Sequence, residues 1–307
     1  MSIKDNMSEE DYLKKHLSGI ESKSEAFEEN VKVTDAVITS ELNFFTFDCS
    51  ELPCGRFYPI GSILKVRPAE VKEIQYYSMV NEKDPSDVIE KINYMLQTCV
   101  RIKYSDGRIG SFLELKDQDR IYILFLIREL TFQQGNSLNV GSSCTCGESV
   151  SIELKRGNFK FHEIDSKLEK FYQKSKGIYH FETVSGESFT ITPPNIGLQK
   201  AFVDYVNREY ADNNEPNMAF LKIIPFTLVG RTSITYDGIK SKLEDFQKMT
   251  NISFQFLNSA INKMTFGIKE LGCLCSCGEE VTTEMQLPNG FGSIFVIHDA
   301  FEAYIKE

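Results

Sequence analysis

The sequence Cys144-Thr145-Cys146-Gly147-Glu148 returns as Cys275-Ser276-Cys277-Gly278-Glu279, and this repetition governs how the rest of the chain is read. Each copy runs into an alternating segment, Ser149 to Leu154 in the first and Glu280 to Gln286 in the second. Each therefore predicts a tight turn that enters a β-strand. A thiolate binds zinc strongly, and a glycine after the second cysteine lets the chain fold back so that both sulfurs face one point. Two such turns supply the four thiolates of a closed tetrahedral zinc site: Cys144, Cys146, Cys275 and Cys277. One residue separates the cysteines of each pair, fewer than in the usual zinc spacing, so the signal lies in its occurring twice. Cys273 stands two positions before Cys275, where the first copy has Ser142, and is an alternative ligand to Cys275. The competing reading is reduced cysteines in two turns with no metal. A catalytic zinc is disfavoured, because nothing near the motifs supplies an open coordination position or a general base.

Composition narrows the function classes. A chain of 307 residues that is 41% hydrophobic and 25% charged is one large or two ordinary globular domains. Its net charge of −10 argues against a broad nucleic-acid surface, which rewards clustered Lys and Arg. Met1 to Ile20 is polar and lacks the apolar core of a signal peptide. The longest apolar run, Ile121 to Ile127, falls far short of a membrane span. The expectation is a soluble protein of a reducing compartment, where cysteines serve metal more often than disulfides. Cys49, Cys54 and Cys99 read as buried small hydrophobes.

Punctuation residues predict the elements. Residues 1–45 read as an N-terminal arm, polar and mixed in charge. Thr46 to Cys49 and Ile63 to Val66 read as extended; Pro68 opens a helix to about Val80, and Asp84-Pro85 opens another. Asp106-Gly107 is a turn, and Asp117 caps a long helix to Phe132. Gln133 to Ser143 reads as a polar loop, and residues 159–180 as a charged connector. Phe181 to Thr192 alternates like a hairpin turning at Ser185-Gly186. Pro193-Pro194 and Glu215-Pro216 open further helices, Tyr236-Asp237-Gly238 is a turn, and helices follow over Gly238 to Met249 and Asn251 to Phe266. The order in the two halves matches, and both long helices end in Thr-Phe, at Thr131-Phe132 and Thr265-Phe266. The expected fold is α+β, mainly helical. Residues 46–158 and 181–307 are expected to be two related lobes from an internal duplication, each ending in a cysteine turn and strand, bridged by zinc.

No catalytic motif stands out. Gly-rich phosphate loops and G-x-S-x-G elbows are absent, and His16, His162, His180 and His298 lie far apart in sequence. Glu148 and Glu279 read as acceptors of backbone hydrogen bonds or as solvated groups. The expectation is a protein that is not an enzyme and has no small-molecule substrate.

Short motifs carry a resemblance. Glu51-Leu52-Pro53, Arg56-Phe57-Tyr58-Pro59 and Val66-Arg67-Pro68 resemble the opening of the T-even-type phage baseplate (central hub) protein family. The stretch Arg128-Glu129-Leu130-Thr131-Phe132 before a Cys-Gly turn is similar to a later part of that family. The resemblance covers roughly Glu51 to Leu154. The chain departs from the pattern in having Cys54-Gly55 where a polar turn is commoner, and its second half lacks the Leu-Pro and Tyr-Pro opening. The resemblance implies a structural subunit of a contractile phage tail baseplate or hub. Such a subunit is made in the host cytoplasm, carried in the virion, and partnered by other baseplate proteins. The rival functions are a tail-assembly chaperone absent from the virion and a zinc-ribbon nucleic-acid binder. The last needs basic residues beside the cysteine turns, but only Lys155 and Arg156 follow the first turn, and none closely follows the second. In a filter-binding salt series the protein is therefore expected to retain neither DNA nor RNA at about 0.15 M salt. Retention that weakens steeply with salt would reinstate the nucleic-acid reading.

Overall fold

The computed structural model describes residues 43–132, 137–182, 186–210, 221–227, 235–287 and 290–296. The N-terminal arm up to residue 42, His16, Ser185 of the expected hairpin turn, the Glu215-Pro216 helix start and His298 lie outside the described residues. Residues 45–307 group as one compact unit, whose described part mixes helices and strands.

Strand β1 (Phe45–Asp48) leads through two short 3-10 turns, Cys49–Glu51 and Gly55–Phe57, into β2 (Ile63–Val66). Helices α1 (Val71–Ser78) and α2 (Pro85–Cys99) follow, then β3 (Val100–Lys103) and β4 (Ile109–Gly110). The four strands form one antiparallel sheet in the order β1-β2-β3-β4. Leu64 faces Ile102 and Val66 faces Val100 across β2 and β3, all fully buried, so alternation fixes the register. Helix α2 starts where the sequence places it, with Pro85 in its first turn and the Asp84 carboxylate accepting from the Ser86 N–H. Helix α1 starts three residues after Pro68. The Glu73 carboxylate binds the Glu70 N–H at 2.7 Å and Arg67 at 2.6 Å, which sets the cap at Glu70.

Helix α3 (Arg120–Thr131) is the centre of the core. Tyr122 through Arg128 are all buried, which is the signature of a helix packed on every side. Each large apolar side chain buried here contributes about 1.5–3 kcal/mol. Asp117 does not cap this helix: it opens a 3-10 turn, Asp117–Asp119, that precedes it. The chain then forms β5 (Asn139–Ser143), β6 (Ser149–Glu153), β7 (Phe159–Phe161), α4 (Ser166–Glu169) and β8 (Tyr172–Gln173). The expected polar loop thus ends as a strand, because pairing with β6 sets Val140 opposite Ile152. Residues 159–180 are likewise more than a connector, since β7 and β8 each join a sheet.

Strands β9 (Ile178–Glu182) and β10 (Ser188–Ile191) complete the three-stranded sheet β10-β9-β8. Helices α5 (Ile196–Glu209), α6 (Ile224–Thr227), α7 (Tyr236–Gln247) and α8 (Asn251–Asn262) follow. The expected turn at Tyr236-Asp237-Gly238 is instead the first turn of α7. The Thr235 hydroxyl accepts from the Gly238 N–H, and Asp237 sits where the helix dipole favours an acid. Helix α8 ends at Asn262, short of Phe266. Strands β11 (Ile268–Leu274) and β12 (Glu280–Thr283) then pair with β7 in the order β12-β11-β7. Lys160 of β7 lies across Gly272 of β11 to reach Glu280 of β12, a path that a side chain at Gly272 would crowd.

The two expected lobes share one core. Phe57 packs on Tyr172, Tyr179 and Phe266. A 3-10 turn near the end of the chain, Phe291–Phe295, returns to the first lobe. There Phe295 meets Tyr77 and Phe132, and Arg128 Nε donates to the Ile294 carbonyl at 2.9 Å.

A buried polar network ties the first turns to α3. Asp119 accepts from the Cys54 N–H at 2.8 Å and from the Tyr58 hydroxyl at 2.7 Å, and Tyr58 accepts from the Lys116 N–H at 2.8 Å. Burial raises the Asp119 pKa to about 6, although the Tyr58 and Cys54 donors pull it down. Burial lowers that of Lys116 to about 8. Lys116 Nζ donates to the Pro193 carbonyl at 2.8 Å. Tyr58→Phe leaves buried partners unpaired and is expected to cost about 1–3 kcal/mol in urea denaturation. The raised Asp119 pKa means that the folded state holds its proton more tightly than the unfolded chain. Its stabilising contribution is therefore greatest below 3.8 and is lost as pH rises through about 6. Asp119→Asn is expected to flatten that slope.

Candidate metal centre

Each cysteine motif is the turn of a β-hairpin, between β5 and β6 or between β11 and β12. The two turns are built alike. The Cys144 N–H donates to the Glu148 carbonyl at 2.8 Å and the Gly147 N–H to the Cys144 carbonyl at 2.9 Å. The Cys275 N–H donates to the Glu279 carbonyl at 2.8 Å and the Gly278 N–H to the Cys275 carbonyl at 2.9 Å. Gly147 and Gly278 take φ values of 90° and 88°, a left-handed conformation that a side chain would strain. In both turns the first cysteine is buried and the second exposed.

The preceding helices share the register. Arg120 and Asn251, which begin α3 and α8, are separated by the same 131 positions as Cys144 and Cys275 (251 − 120 and 275 − 144). Both helices are 12 residues long. The Thr-Phe pairs are separated by 134 positions (265 − 131), so that sequence match lies about one helical turn out of register.

The two turns meet tip to tip. Cys144 Sγ lies 3.6 Å from Cys277 Sγ, and Cys146 Sγ lies 3.8 Å from Cys275 Sγ. All four sulfurs fall within 4.8 Å of one another. A tetrahedron of zinc–sulfur bonds near 2.3 Å has edges of about 3.8 Å, so the two close pairs already have the required spacing. All four sequence-predicted ligands are brought together. Cys273 lies on β11 opposite Val281, outside this group, and Cys275 is the member that joins it. Among the described residues this is the one such cluster of metal-ligating groups. The four cysteines can therefore hold a metal ion.

The thiols influence one another. The Cys146 N–H is the main cause that pulls the Cys144 pKa down to about 7. At Cys275 the Cys277 N–H also pulls down, but burial, the Glu148 carboxylate and the neighbouring sulfurs push the value up to about 12. Cys144 gives up its proton readily, while Cys146 and Cys275 resist until a cation offsets the charge. Cys49, Cys54 and Cys99 behave otherwise: each is buried among apolar side chains, and burial raises each thiol pKa.

Sequence reasoning missed Thr145 and Ser276, and it read Glu148 and Glu279 as backbone acceptors or solvated groups where they accept from the opposite hairpin's side chains. Glu148 accepts from the Ser276 hydroxyl and from Cys275 Sγ at 3.2 Å, both on the other hairpin. Glu279 accepts from the Thr145 hydroxyl and from Cys144 Sγ at 3.8 Å. Their signal was the recurrence of a hydroxyl between the cysteines and a Glu after the glycine in both motifs. No known protein family, curated protein or solved structure matches the chain.

Elemental analysis of the purified protein is expected to find one metal ion per chain, lost in both Cys146→Ser and Cys277→Ser. About two per chain would mean independent sites. Because a metal ion displaces thiol protons, acidification is expected to release it.

Proposed function

We propose that this chain is a structural protein whose two cysteine hairpins are clipped by one zinc ion, and that it serves as a subunit of a contractile phage tail baseplate or hub. The observation that carries the clip is the four-sulfur cluster, formed by cysteines about 130 residues apart in sequence. A closed four-thiolate site leaves no open coordination position, so its role is to hold parts together. The matching 131-residue register of helix, turn and strand is what an internal duplication of this unit would leave.

The baseplate reading rests on the motif resemblance, and the structure supplies a physical role for those motifs. Tyr58 anchors Asp119, Arg56 forms a two-pronged pair with Glu169, and Arg67 does the same with Glu73. These polar groups are committed to internal pairs that fix the shape of the subunit, as suits a scaffold that meets neighbours on its outer faces. Among the described residues, no helix is long and apolar enough to cross a membrane.

Mass spectrometry of purified tailed particles is expected to detect the chain in a fixed ratio to other baseplate proteins. Detection only in assembly intermediates would make it an assembly chaperone. Absence from both would overturn the tail assignment while leaving the metal clip standing.

A further inference from the structure

We infer that Glu148 and Glu279 are positioning residues of the metal centre, each supplied by one hairpin to hold the other. The inference rests on the zinc reading proposed above. Glu148 reaches from the first hairpin to the Ser276 hydroxyl and the Cys275 thiol, and Glu279 reaches from the second to the Thr145 hydroxyl and the Cys144 thiol. Each carboxylate takes the hydroxyl that stands between the other turn's cysteines. All four of these residues are exposed, so water was available to satisfy each of them. The same exchange made in both directions therefore marks a geometric role.

The chemistry separates the two kinds of bond. When a metal dication binds, the thiol protons leave, and the S–H···O bonds to the carboxylates go with them. The O–H···O bonds from Ser276 and Thr145 need no thiol proton and remain. They hold the residue between each cysteine pair, and so hold both sulfurs of that pair at the spacing the metal needs. A carboxylate also carries charge, which repels thiolates and opposes binding. At the solvent-exposed tip of a turn that repulsion is screened. Partners of metal ligands that orient them contribute about 10–100-fold in affinity. The tether is therefore the larger effect, and removing it weakens binding.

The test is the zinc affinity of the full chain, measured by competition with a chromophoric chelator, with the cobalt(II)–thiolate charge-transfer spectrum as a readout of the four-sulfur geometry. The double variant Glu148→Ala, Glu279→Ala is expected to bind about 10–100-fold more weakly at unchanged stoichiometry, with an altered cobalt spectrum. Thr145→Val with Ser276→Ala removes the other ends of the same bonds and is expected to lose the same factor. Combining the two pairs should add little, since they share one interaction. Glu148→Gln with Glu279→Gln keeps an acceptor without the charge and is expected to stay within about threefold of the parent protein. The inference is overturned if the Ala pair binds within about twofold of the parent, or if the Gln pair falls as far as the Ala pair. Should the Ala pair fail to fold, the hydroxyl pair carries the test. A parent protein that binds no metal fails at an earlier step and overturns the zinc reading itself.

Discussion

Four sulfurs within 4.8 Å of one another repel as thiolates, and a dication among them would offset that repulsion by attracting each. The arrangement of the chain around them follows from that requirement. The two hairpin tips must face each other, so β11 and β12 must be held at a fixed distance from β5 and β6. Strand β7 pairs with β11 directly after the first hairpin, linking the surroundings of one cysteine turn to the strand that carries the other. Helix α3 lies under this junction, with Tyr122 and Phe125 packed against Phe159 and Phe161 of β7. A metal at the tips would close a loop that these strands have already drawn nearly shut.

The second constraint is the cost of burying charge. Asp119 is carried into the core by the turn before α3, and it is tolerable there because two donors meet it and Lys116 lies close by. The same carboxylate therefore fixes the Cys54 turn and the Tyr58-Pro59 segment against the central helix. Arg128 presents the converse case, a buried guanidinium whose Nε reaches the Ile294 carbonyl and so draws the Phe291–Phe295 turn onto α3. Burial lowers the pKa of Arg128, but a guanidinium stays protonated in proteins, so this contact is a charge-assisted one. Both groups act across long sequence distances: Asp119 ties together parts of the first half, and Arg128 ties the end of the second half to it.

Local signals were legible in the sequence and long-range ones were less so. Asp84-Pro85 marked the start of α2 and the Cys-x-Cys-Gly-Glu repeat marked both turns, because each depends on chemistry within a few residues. The start of α1 was misplaced, because its cap is set by Glu73, which is itself oriented by Arg67. Asp117 had the right residue type for a cap, but the chain made a 3-10 turn first and Asp119 turned inward to Tyr58 and Cys54. Tyr236-Asp237-Gly238 read as a turn because glycine punctuates, yet the Thr235 hydroxyl, three residues before Gly238, makes it the first turn of a helix. Strand β5 was hidden by its Ser, Asn and Gly content, since only Val140 faces inward and its partner Ile152 lies beyond the turn. The four ligands were readable because the motif repeats. The choice between Cys273 and Cys275 was not, because it depends on which residue lies at the tip of the hairpin.

The repetition also accounts for the form of the site. A single Cys-x-Cys hairpin offers two sulfurs, one buried and one exposed, and cannot close a tetrahedron. Two identical hairpins related by a local twofold must make each contact twice, with residue i of one meeting residue j of the other and the converse. The pairs obey this rule: Cys144 meets Cys277 and Cys146 meets Cys275, while Glu148 meets Ser276 and Glu279 meets Thr145. Any feature useful at such a junction is therefore gained in duplicate, and any mismatch is suffered in duplicate. That explains why the turns agree in hydrogen bonds and in glycine conformation, while the sheets behind them differ. The first half builds a four-stranded sheet before its hairpin and the second a three-stranded one. On the proposed duplication, the outer elements were free to diverge, and the residues that face the local twofold were held to one pattern.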